Sequence, residues 1–346
     1  MKQRPIETHY LSLPADVCAA LEIAVGDDAY FEIRQDTVIL RKSTGQETEE
    51  TADDNQTTIR PFITHDPGKI IDGRFEVIRH LGDGFRSTSH LCRELHTRDN
   101  LVVLKTCLPD IAKDESSRAR WIREMRASRN IQHPNCLKVF DYFSDAKNLY
   151  SITEYVVGET LAELQDRREN IAIDRLRNIF IQLCAGLDAI HTAGYLHRDI
   201  KHESVFISYR DEIKILGAGS VSRTGIAANL KKVDGLVRTV DFVAPEYLEH
   251  GVVDSRGDIY AIGVIAYELL TNNAPFRGES IIQLMTKRLN TDPAPPEQYR
   301  PDCPKELSDI ILRALARYPE NRYQTAKEML HDLNEVNLVH FWPKVF

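Results

Sequence analysis

The chain has 346 residues, of which 42% are hydrophobic and 28% are charged, and this balance excludes wholesale disorder, a collagen-like rod and a coiled-coil rod. The length predicts about two domains, because a single core of this size is unusual. The formal net charge of −8 excludes a globally basic nucleic-acid coat. Residues 44–72 hold seven acids and only two bases, so the negative excess belongs mostly to one short segment.

The first block, residues 1–43, predicts a short helix followed by a β-hairpin. Pro14 suits a helix start, and the runs 30–33 and 38–40 flank Gln35-Asp36 in the manner of two paired strands. A block of about 40 residues cannot usually bury an adequate core by itself.

This block resembles the AbrB/SpoVT-type swapped-hairpin domain through the pattern Leu13-Pro14, Val17, Ala20-Leu21, Ile23, Gly26-Asp27, Phe31 and Ile33. That family interlaces two chains, so the resemblance implies a small β-rich domain that forms a homodimer. It also implies DNA binding, with five candidate contacts: Lys2, Arg4, Arg34, Arg41 and Lys42. Seven acids in the same block would weaken phosphate-driven affinity unless these bases cluster.

Residues 44–72 predict an acidic, flexible linker, because Thr, Glu and Asp predominate in most of it and little can be buried.

The six cysteines show no CxxC pair and no zinc spacing, which favours reduced, mostly buried thiols and a cytoplasmic location. No signal peptide is visible and no run reaches about 18 apolar residues, so we expect no membrane span. Residues 336–346 predict a docked C-terminal tail.

Residues 73–335 predict an α+β domain with a β-rich lobe followed by a helical lobe. Short β-branched runs predict strands at 75–80, 101–106, 137–142 and 149–154. A charged helix is predicted at 116–130. A second helix, which Asp174 would cap and Gly194 would end, carries one apolar stripe made of Leu176, Phe180, Leu183, Leu187 and Ile190.

Several motifs follow one another in this domain. They are Gly82 and Gly84 after a strand, Lys105 at the end of a β run, Glu124 on the charged helix, His197-Arg198-Asp199-Ile200-Lys201, Ala244-Pro245-Glu246, Asp258, Gly263 and Arg322. Together they resemble a eukaryotic-type protein kinase domain of the bacterial Ser/Thr kinase kind, over about three quarters of the chain. The resemblance implies a bilobal fold and Asp199 and Lys201 as catalytic residues. It implies a nucleotide site that contains Gly82, Gly84, Arg86, Lys105, Glu124, Glu154 and Val156.

Two positions depart from the kinase pattern where magnesium would be held. The Asn that should follow the catalytic Asp by five residues is Ser204, and the Asp of the DFG motif is Gly217. Magnesium requires oxygen ligands in near-octahedral geometry and neutralises much of the charge in phosphoryl transfer. A neutral hydroxyl and a glycine are poor replacements, so we expect no metal site here and little or no phosphotransfer, with Asp199 and Lys201 vestigial.

The predicted adenine pocket is also altered, by Ser89, Val103 and Phe206 at positions where the family has Val, Ala and usually Leu. The sequence therefore assigns no cofactor with certainty and leaves open ATP binding without magnesium. In that case the Arg86 guanidinium would pair with the phosphates; a solvent-exposed loop arginine is the simpler alternative. The segment 219–243 resembles an activation segment, with candidate phosphorylation sites at Ser220, Ser222, Thr224 and Thr239.

Three functions follow from these features. The first is a regulatory pseudokinase that acts by scaffolding or allosteric signalling, binds protein partners and is dimerised by residues 1–43. The second is an active Ser/Thr protein kinase with unusual metal use. The third is a DNA-binding transcription regulator whose kinase-like domain is a sensor. The pair Ser204 and Gly217 separates the first function from the second.

Overall fold

The computed structural model describes residues 63–84, 87–97, 100–145, 147–216, 240–251, 254–278 and 281–336, together with the backbone of strands at 29–34, 37–42, 58–59 and 222–223. The candidate DNA contacts Lys2 and Arg4, the loop residue Arg86 and the position Gly217 lie outside the described residues. So do the phosphorylation candidates Ser220, Thr224 and Thr239 and the tail after Val336.

The predicted N-terminal hairpin is present. Strand β1 (Ala29–Arg34) pairs with β2 (Thr37–Lys42) in antiparallel register, with Phe31 opposite Leu40. This register puts positions 31, 33, 38 and 40, which are all apolar, on one face of the ribbon. Strand β3 (Thr58–Ile59) pairs with β2, so the acidic run of the predicted linker lies between two paired strands.

A six-stranded antiparallel sheet forms the β-rich lobe, in the order β4-β5-β6-β7-β9-β8. Its strands are β4 (Ile70–Ile71), β5 (Phe75–Asp83), β6 (Ser87–Glu94), β7 (Asn100–Cys107), β8 (Val139–Ser144) and β9 (Leu149–Glu154). The four predicted strands are all present. The sequence did not indicate β6, because its residues STSHLCRE include few of the apolar residues that mark a buried strand.

The last ten residues of the predicted linker belong to this lobe. The His65 backbone N–H donates to His90 Nε2 over 3.1 Å, and His65 Nε2 lies 3.1 Å from the Thr106 hydroxyl. His65 is buried, and β4 pairs with β5. The prediction of a flexible linker over 44–72 is therefore wrong for residues 63–72. A few polar contacts hold them to the sheet, and such contacts leave no periodic pattern in the sequence.

The first four helices of the described residues lie on either side of β8 and β9 along the chain. They are α1 (Pro109–Lys113), α2 (Glu115–Asn130), α3 (Leu161–Asp166) and α4 (Ile173–Thr192). The five residues of the predicted α4 stripe are all fully buried, and Gly194 follows the helix with a left-handed φ of 82°. The predicted cap is one detail that is wrong. Ala172 is the N-cap, and Asp174 lies in the first turn, where a carboxylate still suits the helix dipole.

The helical lobe continues with α5 (Pro245–His250), α6 (Ser255–Thr271), α7 (Ile281–Asn290), α8 (Lys305–Ala314) and α9 (Ala326–Glu335). Helix α6 is buried on nearly all sides and packs against α4 and α8. A helix that is apolar all round can only be stable inside a core, and α6 is therefore the centre of this lobe.

Two small sheets lie at the junction of the lobes. Strands β10 (Gly158–Thr160), β12 (Val205–Ser208) and β13 (Ile213–Ile215) form one, and β11 (Tyr195–Leu196) pairs with β14 (Ser222–Arg223) in the other. A Cβ at Gly158 would lie 2.1 Å from the Ile207 carbonyl oxygen. Only glycine permits this close approach of β10 to β12. The pairing brings the chain segment between the lobes against β12, the strand that follows the predicted catalytic loop.

The five described cysteines are buried free thiols, as the sequence predicts: Cys92, Cys107, Cys136, Cys184 and Cys303. Burial raises the pKa of Cys92, Cys136 and Cys303 to about 12, so these thiols are unreactive at neutral pH. In the part of the chain that the structure describes, no helix is long and apolar enough to cross a membrane.

One carboxyl of α6 is buried beside the predicted catalytic loop. Glu268 Oε2 lies 3.5 Å from His202 Nδ1, and both side chains are largely inaccessible. Burial, with the negative charges of Asp241 and Glu203, raises the pKa of Glu268 to about 8, although Arg288 and Arg277 act in the opposite direction. Burial lowers the pKa of His202 to about 4. At neutral pH the pair therefore holds its proton on the glutamate.

The substitution Glu268→Gln tests this assignment through the pH dependence of stability. The folded state keeps a proton that the unfolded chain releases near its ordinary pKa of 4.5, so the contribution of Glu268 is complete below pH 4.5 and is lost as pH rises to about 8. Glutamine cannot ionise, so we expect E268Q to increase the free energy of unfolding at pH 8 by about 2 kcal/mol, which raises the melting temperature by several degrees. The increase at pH 5 should be much smaller.

The matched control is Glu212→Gln, which changes an exposed carboxyl in the turn before β13. Its effect on the melting temperature should be small at both pH values. An equal gain for E268Q at pH 5 and pH 8 would contradict the raised pKa.

Candidate active site

A buried carboxylate fixes the start of the loop 197–204. Asp258, on α6, accepts the His197 N–H at 2.8 Å and the Arg198 N–H at 2.7 Å, and His191 Nε2 lies 2.9 Å from its Oδ2. Burial alone would raise the pKa of Asp258, but the hydrogen bond and charge of His191, the charge of His197 and the Arg198 amide lower it. The loop is therefore attached to the centre of the core through an ionised group.

His197 connects this loop to the strand that leads to position 217. Its Nδ1 accepts the Asp199 N–H at 3.3 Å, so the ring proton lies on Nε2, which donates to the Leu216 carbonyl at 2.9 Å. The side chain is fully buried. His197 therefore links the start of the loop to the end of the strand that leads to position 217.

The side chains of the two predicted catalytic residues, Asp199 and Lys201, are in contact. Asp199 Oδ1 lies 3.0 Å from Lys201 Nζ, and about a third of the Asp199 side chain is exposed. A carboxylate that is held on a fixed loop and open to solvent can accept the proton of a substrate hydroxyl. The neighbouring ammonium can neutralise charge that develops on a transferred phosphoryl group.

Ser204, at the predicted metal-ligand position, uses its hydroxyl within the loop itself. Its Oγ accepts the Lys201 N–H at 2.9 Å and donates to the Lys201 carbonyl at 2.9 Å. The side chain is buried, and its carbonyl accepts the Leu216 N–H at 2.7 Å. Ser204 therefore closes the turn that carries Lys201.

This arrangement does not fit a magnesium ion of the kind that kinases hold. Magnesium requires several oxygen ligands, and the Ser204 hydroxyl is already engaged in two hydrogen bonds. Among the residues that the structure describes, no three His, Cys, Asp or Glu side chains converge on a possible metal site. The second ligand position, Gly217, has no side chain at all.

Lys105 and Glu124 do not form the ion pair that the kinase resemblance implies. Glu124 is buried and accepts Arg120 Nε at 2.7 Å, one turn earlier on α2. Within the described part of the chain, no carboxylate forms an ion pair with Lys105. Burial lowers the pKa of Lys105. An (i, i+4) partner is in reach on its own helix, which accounts for the contact of Glu124 with Arg120.

The candidate nucleotide-site residues Gly84, Glu154 and Val156 lie at the ends of strands of the six-stranded sheet. Gly84 lies between β5 and β6, where its N–H donates to the Ser87 carbonyl at 2.7 Å. Glu154 ends β9, and its Oε1 accepts Lys214 Nζ at 3.0 Å and the Lys138 N–H at 2.7 Å. Val156 follows and is half-buried. The Glu154 carboxylate therefore ties the segment between the lobes to β13.

The three side chains predicted to narrow an adenine pocket lie on β6, β7 and β12. Ser89 on β6 and Val103 on β7 are half-buried, as is Phe206 on β12. Phe206 is opposite Thr160 on one side and Lys214 on the other. Thr153, the residue before Glu154 on β9, is buried.

The end of the activation-type segment is anchored by a second buried ion pair. Arg322 donates from Nη1 and Nη2 to the two carboxylate oxygens of Glu246, at 2.9 and 2.7 Å. Its guanidinium also donates to the carbonyls of Ala316 and Arg317, and the side chain is fully inaccessible. A paired and fully bonded buried arginine of this kind fixes the backbone around Ala244-Pro245-Glu246.

Three described residues of this region were missed by the sequence analysis: Arg120, His202 and Arg288. The spacing of Arg120 and Glu124 is visible in the sequence and is a signal for an intrahelical pair. His202 and Arg288 carry no such signal, because their partners lie 66 and 45 or more residues away along the chain.

Comparisons with known proteins agree with this geometry. Residues 75–333 match the protein kinase domain family. The chain is 32% identical over 273 residues to the serine/threonine-protein kinase PknB of Mycolicibacterium smegmatis, and 29% identical over 266 residues to PrkC of Bacillus subtilis. Each match covers 77% of this chain but only 43% and 41% of those relatives.

The fold is also similar to a solved kinase structure. The crystal structure of the Mycobacterium tuberculosis PknI kinase domain aligns with a TM-score of 0.61 at 24% identity, covering 79% of this chain and 99% of that one. The match over residues 75–333 accounts for about three quarters of the chain. The chain therefore belongs to the protein kinase family, and its domain is of the bacterial serine/threonine kinase type.

Proposed function

We propose that this chain is an ATP-dependent serine/threonine protein kinase with unusual metal use. The observation that carries the proposal is the Asp199–Lys201 pair at 3.0 Å on a loop that Asp258 fixes to the core. The named relatives are serine/threonine-protein kinases, and they favour this function over the pseudokinase that Ser204 and Gly217 suggest. The chain spans less than half of those relatives, so the activity of the whole protein is part of the proposal.

The residues of the site have separate tasks in this reaction. Asp199 accepts the proton of a serine or threonine hydroxyl as that oxygen attacks the γ-phosphorus of ATP. The bond from this phosphorus to the bridging oxygen breaks in the same step, and ADP leaves with the electron pair. Lys201 stabilises the negative charge on the transferred group. Lys105, with its pKa lowered by burial, gains an anionic partner when phosphates bind. None of these steps is assigned to magnesium, because the described residues do not fit it.

A regulatory function without phosphotransfer is the second candidate. The Ser204 hydroxyl, whose hydrogen bonds are both made to Lys201, favours it, because the loop is complete without a metal. In that case the kinase fold would serve as a scaffold or an allosteric partner for other proteins.

The N-terminal block adds a proposal of its own. The hairpin register puts four apolar positions on one face, which supports the swapped-hairpin resemblance and a homodimer. The same register puts Arg34 and Arg41 at positions of the opposite face and Lys42 with the apolar set, so two of the three bases in the described strands share a face. DNA binding, and the regulator function that depends on it, stay predictions.

The substitution Asp199→Asn decides between the two main functions. We expect the wild-type chain to transfer phosphate from ATP to a serine/threonine protein substrate with magnesium or manganese, and D199N to lose activity by about 100-fold or more. The measurement is radiolabelled phosphate transfer. Asp292→Asn, an exposed change beyond α7, is the control and should keep full activity. Absence of transfer with either metal would leave the regulatory function.

Nucleotide binding gives a second prediction. We expect ATP to raise the melting temperature equally with magnesium and with EDTA, because Ser204 and Gly217 supply no metal ligand. At an ATP concentration about 100 times the Kd, binding should stabilise the folded state by about 2.7 kcal/mol. The double substitution Ser204→Asn and Gly217→Asp restores the ligand types of the family and should make the shift depend on magnesium. Lys105→Met should abolish it. A strictly magnesium-dependent shift of the wild-type chain would contradict the proposal.

A further inference from the structure

Two buried histidines lie where residues 63–66 meet the sheet of the β-rich lobe. The ring centroids of His65 and His90 are 5.1 Å apart, and the His90 side chain, on β6, is completely buried. His65 also contacts Thr106 on β7. Because successive side chains of a strand point to opposite faces, Thr106 lies on the other face of the sheet from Lys105. The histidine pair is therefore separate from the candidate active site.

His90 can hold this contact only as a neutral ring. Its Nε2 accepts the backbone N–H of His65 at 3.1 Å, so the proton of the neutral imidazole lies on Nδ1. Within the described residues, His90 Nδ1 has no hydrogen-bond partner, and a buried N–H without an acceptor is costly. A second proton would have to enter at Nε2. There it would face the His65 N–H, and the hydrogen bond would be lost.

The His65 side chain is also suited to the neutral form. Its Nδ1 lies 3.4 Å from Lys69 Nζ, and an ammonium can only donate, so Nδ1 is the acceptor. The ring proton then lies on Nε2, which donates to the Thr106 hydroxyl at 3.1 Å. A proton on Nδ1 would put two cations in contact. In both histidines, the nitrogen that accepts a hydrogen bond is thus the one to which a proton would add.

The charged groups around the pair act on the same equilibrium. The titratable groups that face it come from β5, β6, the turn after His65, the end of β8 and the start of β9: His80, Asp83, Cys92, Asp66, Lys69, Asp145 and Tyr150. Burial, with the charges of His65 and His80, lowers the pKa of His90 to about 4, although Asp83 acts in the opposite direction. Burial and Lys69 lower the pKa of His65, against the two aspartates nearest to it. The surroundings therefore favour two neutral rings.

The chain just after this contact is attached to the sheet by backbone pairing alone. The Gly68 N–H donates to the Val77 carbonyl at 2.8 Å, and the Val77 N–H donates to the Lys69 carbonyl at 2.9 Å. Between the two attachments, the Lys69 N–H donates to the Asp66 carbonyl at 3.1 Å and closes a turn in which Gly68 has a left-handed φ of 82°. This turn can act as a hinge, because residues 63–66 can leave the sheet without breaking the pairing that follows.

We propose that His65 and His90 form a pH-sensitive latch, which fastens residues 63–66 to the β-rich lobe while both rings are neutral and releases them when either ring takes a proton. The fastened residues connect the chain of residues 1–62 to the kinase domain. Acidification would thus loosen this junction from the face of the sheet opposite Lys105. The latch does not depend on phosphotransfer, so its test is independent of the proposed kinase function.

The direction of the pH dependence follows from the His90 ring. In the closed state its pKa is about 4, and in the open state it returns to the ordinary value of 6.5. The closed state is therefore fully favoured above pH 6.5, and the preference is lost as pH falls towards 4. The ratio of closed to open states should fall about 30-fold between pH 7.5 and pH 5, and about 300-fold over the whole range.

Amide hydrogen exchange on the full chain tests the latch directly. We expect the protection of the His65 amide, corrected for the intrinsic effect of pH on exchange, to fall about 30-fold from pH 7.5 to pH 5. The Gly68 amide should keep its protection, because its bond to Val77 involves no histidine. No loss at His65, or an equal loss at both amides, would refute the latch.

The substitution His90→Gln identifies the sensor. The glutamine carbonyl oxygen can take the place of Nε2 as the acceptor of the His65 N–H, and it does not titrate in this range. We expect H90Q to keep the protection of the His65 amide at pH 7.5 and to lose most of its pH dependence. The matched control is His96→Gln, an exposed histidine in the turn after β6, which should behave as the wild-type chain. A wild-type loss of protection in H90Q would exclude His90 as the sensor.

A measurement on the wild-type chain covers the case in which H90Q does not fold. Nitrogen NMR of the imidazole rings should show the His90 proton on Nδ1 at pH 7.5 and a titration midpoint below 6.5. A proton on Nε2, or a midpoint at 6.5, would overturn the proposal. The melting-temperature shift by ATP should be the same in H90Q and the wild-type chain, so a failure of nucleotide binding and a failure of the latch are distinguishable.

Discussion

The carboxylate of Asp258 is the constraint on which the active-site geometry depends. It accepts two consecutive backbone N–H groups, those of His197 and Arg198, from inside the most buried of the described helices. Arg198 has a left-handed φ of 63°, a conformation that costs about 1 kcal/mol or more for a residue with a side chain and persists only when its neighbours enforce it. Asp258 supplies that enforcement, and the positions of Asp199 and Lys201 follow from it.

The sequence predicted the elements of the core better than the contacts between them. The α4 stripe and four strands were correct, because a buried face imposes a period of 3.6 or 2 on apolar residues. The attachment of residues 63–72 was missed, since His65 is held by two polar contacts that no periodicity announces. The β6 strand was missed for a similar reason: it buries Thr88 and His90 in place of aliphatic residues.

The candidate site was predictable as a set of positions but not as a set of interactions. Motif spacing located Lys105, Glu124, Asp199 and Ser204 on their elements. It did not show that Glu124 bonds Arg120, or that the Ser204 hydroxyl is satisfied within its own loop. The hydrogen-bond partner of a buried polar group depends on differences of a few tenths of an ångström between segments far apart in sequence. A single sequence does not contain these distances.

Two parts of the candidate site differ in how their charges are balanced: the segment around Ala244-Pro245-Glu246, and the positions Lys105 and Gly217. The segment that ends in Ala244-Pro245-Glu246 is held by two buried arginines, with Arg322 on Glu246 and Arg288 on the carbonyls of 241 and 243. On the nucleotide side the acidic metal ligand of the family is replaced by Gly217, and Lys105 has no described carboxylate partner. Loss of an acid removes negative charge that a metal would have neutralised. Burial lowers the pKa of Lys105, and the phosphates of a bound nucleotide would favour its charged form. The two changes compensate each other, as a site that neutralises phosphates with lysine in place of magnesium would require.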